Sequence, residues 1–118
     1  VALITIPQQT RSGEWQMTSA SLAARYDTCQ VTLNILPTDY VNPAKTLTLE
    51  VRTSADNGQT WQHAFGFTWV GGPRTGKDGT PNPAPMTGFS LAAYEGRRVG
   101  VFVGIPSPLT LGATVLLQ

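Results

Sequence analysis

Charge is what this chain has least of. Eight Lys and Arg and seven Asp and Glu make up 13% of 118 residues and leave a net charge of +1. That is about half the charged content of an ordinary soluble domain. The basic residues are scattered, with Arg97-Arg98 the one adjacent pair. A chain so balanced has no electrostatic footprint for DNA, RNA or an anionic membrane surface. Cysteine occurs once, so Cys29 has no partner for an intrachain disulfide. Histidine also occurs once, and His63 has no second His and no nearby Cys with which to hold zinc. No apolar run approaches membrane-spanning length, and no leader-peptide pattern is readable.

The enzymatic signatures are missing too. There is no G-x-S-x-G elbow for a serine nucleophile. Gly76-Lys77 has the wrong spacing for a phosphate loop. The Asp residues at 27, 39, 56 and 78 form no calcium-loop pattern. Glycosidase chemistry needs two carboxylates across a cleft, and the sequence pairs none. The reading is therefore non-enzymatic, without a cofactor or a metal.

What is present is β patterning. Leu47, Leu49 and Val51 alternate with Thr48, Glu50 and Arg52, and Trp61, His63, Phe65, Phe67 and Trp69 alternate with their neighbours. Period-two alternation predicts strands with one face buried. It places His63 inward, as a core or rim imidazole, and makes Trp61 a core anchor. Cys29, Val31, Leu33 and Ile35 mark another strand, and Trp15 and Met17 share one face of a further one. Val99, Val101, Val103 and Ile105 precede a turn at Pro106-Ser107-Pro108, and Leu111, Ala113, Val115 and Leu117 follow it. Glycines at 100 and 104 leave room for something close against the outer face. Residues 8–13 read as a polar turn. Residues 37–43 read as a loop that Tyr40 and Val41 pin to the core. No helix of normal length is readable. Roughly eight short strands predict one domain over residues 1–118, an all-β antiparallel sandwich, jelly-roll-like first and immunoglobulin-like second.

The turn between the central strands is Ser54-Ala55-Asp56-Asn57-Gly58-Gln59-Thr60-Trp61. It resembles an Asp-box, the Ser-x-Asp-x-Gly-x-Thr-Trp hairpin repeated in sialidase-type propellers. The resemblance implies that the Asp56 carboxylate accepts bonds from backbone and hydroxyl groups of the turn, and that Trp61 packs beneath it. That role is structural. A propeller needs the unit several times, and this chain has it once, so sialidase activity does not carry over.

Two functional classes remain. Residues 1–6 form an apolar segment stopped by Pro7, suited to an edge strand or an arm added to another sheet. Val1, Leu3 and Ile4 are then candidate assembly contacts. Residues 70–87 form a long Gly/Pro-rich loop, either a passive excursion or a contact loop in which Arg74 and Lys77 reach a neighbour. Scarce charge fits either a neutral Thr-rich surface or one covered by neighbouring subunits. In length and style the chain looks like the small β-sandwich decoration and tail modules of bacteriophage particles. That resemblance implies a structural protein of the virion, with protein partners in a homo-oligomer or a capsid or tail lattice. The alternative is a carbohydrate-binding module. Residues 89–99 resemble the penultimate hairpin of jelly-roll lectin-like modules, and Trp15 and Tyr40 are the candidate sugar platform.

Overall fold

The computed structural model describes residues 2–72 and 97–118. Val1, Arg74, Lys77, most of the 70–87 loop and residues 89–96 of the hairpin resemblance lie outside the described residues. The chain is all-β and antiparallel. Among the described residues its strands are β1 (Ala2–Ser21), β2 (Cys29–Ile35), β3 (Thr46–Ser54), β4 (Gln62–Val70) and β5 (Arg98–Leu117), and a helical turn, α1 (Pro37–Tyr40), follows β2. Among the described residues these strands form one hydrogen-bonded sheet, in the order β1-β5-β3-β4, with β2 also on β5. The two separate sheets of the expected sandwich do not form among them.

Two segments expected as turns are strand. Residues 8–13 continue β1, and Pro106-Ser107-Pro108 continue β5. The reason lies in the ladders. β5 pairs with β3 through residues 98–104 and with β2 through 111–117. Its register with β1 jumps from Arg11↔Leu109 to Gly13↔Ile105. Residues 106–108 thus fall where no ladder pair is made on either side, and a proline costs no sheet hydrogen bond there.

This join bends the sheet. A straight strand of 20 residues would span about 66 Å, yet the longest extent of the molecule is 42 Å. β1 follows the bend through register shifts near residues 7–8, 12 and 17, and Gly13 takes a positive φ of 78°. Such bulges curve a strand and let it serve two halves of one sheet. The buried side chains of both halves meet in one cluster. Val99, Val101 and Val103 come from one end of β5, Leu111, Val115 and Leu117 from the other. Leu47, Leu49 and Val51 of β3 and Cys29, Val31 and Ile35 of β2 are buried there as the alternation predicts. Burial pushes the Cys29 thiol up to about 11.

The central hairpin departs from simple alternation. Val51 pairs with Phe65, but Arg52 pairs with His63, so Ala64 is an extra residue in β4. One inserted residue reverses the faces beyond it. Trp69 is fully buried opposite Leu47. His63, on the far side of the bulge, turns outward beside Arg52, with 61% of its side chain exposed. The inward placement of His63 is therefore corrected. Tyr40 does pack on the core, edge-on to Trp69 at 5.7 Å, whereas Val41 is 48% exposed.

Candidate functional site

The turn after β3 is held by its own side chains. Asn57 and Gly58 take φ of 62° and 91°, the left-handed region that these two residue types tolerate. Ser54 Oγ donates to Asp56 Oδ1 at 2.7 Å and accepts the Gly58 N–H at 2.8 Å. Asp56 Oδ1 also accepts the Thr60 N–H at 2.8 Å, and Oδ2 accepts the Thr60 hydroxyl at 2.5 Å. Arg98 ties the turn to β1, donating to Asn57 Oδ1 and to the hydroxyls of Ser19 and Ser21.

These bonds favour the ionised carboxylate. The Ser54 hydroxyl, followed by the Thr60 hydroxyl and N–H, pulls Asp56 from 3.8 down to about 2. A carboxyl with a depressed folded pKa stabilises the fold above its unfolded value, and that contribution is lost as pH falls through the folded one. Wild-type protein should therefore lose thermal midpoint between 3.8 and about 2 on this group's account. Asp56→Asn should start lower and lose less across that window. Parallel melting curves for the two proteins would refute the role of Asp56 in the turn.

Trp61 does not sit in the core. Its ring lies on the outer face of the sheet, over Gly100 and edge-on to Phe102 at 5.1 Å. A Cβ on residue 100 would come within 3.0 Å of the Trp61 ring, so glycine is what lets the indole lie this close. The room that the sequence pattern leaves at Gly100 is filled by this indole. The Arg52 guanidinium covers the Phe102 ring at 4.4 Å. It also donates through Nε to Glu50 Oε1 at 2.5 Å, while His63 Nδ1 meets Glu50 Oε2. The Arg52 hydrogen bond is the main cause of the lowered Glu50 pKa, with His63 adding to it. Glu50, Arg52 and His63 thus form one polar cluster beside an aromatic pair.

Next to this cluster the outer face is hollow. The ladder registers align Glu14, Gly104, Thr48 and Thr68 in one row across β1, β5, β3 and β4, and Gln16, Phe102, Glu50 and Gly66 in the next. Glycines in both rows leave the backbone uncovered, and the taller neighbours make walls. The result is a groove of about 640 Å³, bordered at one end by His63 and Arg52. Small-molecule clefts commonly have this size. A second hollow of about 320 Å³ continues it over Gly13 and Pro106. Of this site the sequence shows only the room at Gly104; the walls come from positions 14, 16, 48 and 68 and meet only through sheet order.

The expected sugar platform is not assembled. Trp15 lies on β1 under the Arg11 guanidinium at 4.9 Å, while Tyr40 packs on Trp69 of β4. β5 and β3 stand between those two strands. Of the candidate assembly contacts, Leu3 and Ile4 are described. Both belong to β1 and pair with Leu116 and Val115 of the same chain, Leu3 outward and 63% exposed, Ile4 packed against the core. Among the described residues no group of three His, Cys, Asp or Glu is placed to hold a metal ion, and no helix is long and apolar enough to cross a membrane. Searched against protein-family models and curated proteins, the chain matches none.

Proposed function

We propose that this chain is a non-enzymatic structural protein that associates with its own kind and decorates or stabilises a larger assembly, such as a phage capsid or tail within a virion. One observation carries the reading. The outward strand positions that line the face of the β1/β5/β2 half are Leu3 and Thr5 of β1, Thr114 and Leu116 of β5, and Gln30, Thr32 and Asn34 of β2. None of them is ionisable. Thr5, Thr114 and Thr32 line up across three strands, with Leu3, Leu116 and Gln30 beside them. Interface cores are depleted of charge in just this way, whereas surfaces that must stay dispersed carry it. Leu3, 63% exposed, gives the face an apolar contact.

The test places charge on that face without touching the core. Thr32→Lys with Thr114→Lys puts two like charges on neighbouring strands. The double variant should melt within about 1 kcal/mol of wild type, as surface changes do. Its association, measured by sedimentation velocity, should be lost. Association equal to wild type would refute this face as the contact.

A further inference from the structure

We propose that the outer-face groove is a binding site for a neutral oligosaccharide, its chain lying along β5 from Phe102 toward Pro106. The site is on the β1/β5/β3/β4 half, so it is independent of the association face on the β1/β5/β2 half.

The chemistry of the walls selects the ligand. Glu14 stands on one wall, and Glu50 stands across the floor, held ionised by Arg52. Two carboxylates disfavour an anion. The nearby guanidinium is already engaged, bonded to Glu50 and stacked on Phe102, so it offers little to a phosphate or a carboxylate. A cation gains little at Glu50, whose charge Arg52 already balances at 2.5 Å. What remains is a set of neutral groups that both donate and accept: the Gln16 amide and the hydroxyls of Thr48 and Thr68. Sugar hydroxyls need both kinds of partner. Glu50 keeps acceptor capacity beyond its contacts with Arg52 and His63, and with Nδ1 turned to Glu50, His63 has Nε2 left for a ligand hydroxyl.

Shape points the same way. The floor at Gly104 and Gly66 carries no side chain, so a flat ring can approach the strands closely. Phe102, half-buried beneath the Arg52 guanidinium, closes one end of the groove. The two hollows share Glu14, Thr48 and Gly104 and run along β5 for the length between residues 102 and 106, about 13 Å of strand. That length suits several linked rings better than one. A peptide is disfavoured because extended peptides add to a sheet at its edge, through main-chain bonds, and this groove lies on a face.

The experiment titrates the full chain with cellohexaose, maltohexaose and mannohexaose, alongside an oligogalacturonate and an unrelated decapeptide, by calorimetry and by amide NMR shifts. Saturable binding of at least one neutral hexaose is expected, with shifts centred on Thr48, Gly66 and Gly104. Gly104→Val fills the floor, and Gln16→Ala with Thr68→Ala strips the walls from the solvent side. Each should weaken binding by about tenfold or more, and the second variant should melt like wild type. No saturable binding of any neutral hexaose would overturn the proposal. So would tighter binding of the galacturonate or the peptide, or wild-type affinity in the folded double variant.

Discussion

Trp69→Ala is expected to lower stability by about 3–5 kcal/mol, the cost of truncating a large aromatic in a packed core. Trp69 is fully buried, pairs with Leu47 and is braced edge-on by Tyr40. Its removal opens a cavity between β4 and α1 that neither element can close by itself. Trp61→Ala is expected to cost less, about 1–2 kcal/mol, from an aromatic pair and partial burial. The sequence pattern alone assigns both tryptophans to one face and the same large loss. The bulge at Ala64 separates them. Chemical denaturation of the two variants decides the point. Equal losses, or a larger loss for Trp61→Ala, would mean that the hairpin has no bulge and that Trp61 lies in the core.

Deleting residues 1–6 is expected to be the other large loss, again about 3–5 kcal/mol, from burial of two isoleucines at 1.5–3 kcal/mol each. Ile6 is buried and Ile4 packs beside it, while residues 2–6 pair with residues 117–113 of β5. Without them the edge of β5 is open and the side chains of Ala113, Val115 and Leu117 lose their cover. As an exchanged arm, the segment would leave the fold intact when removed and weaken association alone. As part of β1 it does the reverse first: thermal melts followed by circular dichroism should show a much lower midpoint in dilute solution. An unchanged midpoint in the truncated chain would return the segment to the role of an arm.

The parts of the fold that were legible in the sequence are those set by neighbours along the chain. Cys29, Val31 and Ile35, or Leu47, Leu49 and Val51, face the core because alternation within one strand is enough to place them. The bonds around Asp56 are equally local, confined to residues 54–60. The rest depends on what lies beside a strand. Pro106 and Pro108 read as a turn until the ladders are known to skip residues 106–108. His63 reads as inward because a bulge leaves period two intact on either side of it and reverses only the phase. Trp15 and Tyr40 are both aromatics with some exposure, but among the described strands the order puts Trp15 on β1 and Tyr40 against β4, with β5 and β3 between. Beyond the room at Gly104, the groove was illegible for the same reason. Glu14 and Thr68 are far apart in sequence and become neighbours across two intervening strands.

The uncharged face and the groove divide the outer surface between the two halves of the bent sheet, so association and ligand binding can each fail alone. The most direct test of the structural reading is the native mass of the purified, unmodified chain, by sedimentation velocity over a wide range of concentration. Discrete species at multiples of the 12.6 kDa monomer, shifting to larger mass as concentration rises, are the predicted result. A 12.6 kDa monomer at every concentration would contradict it.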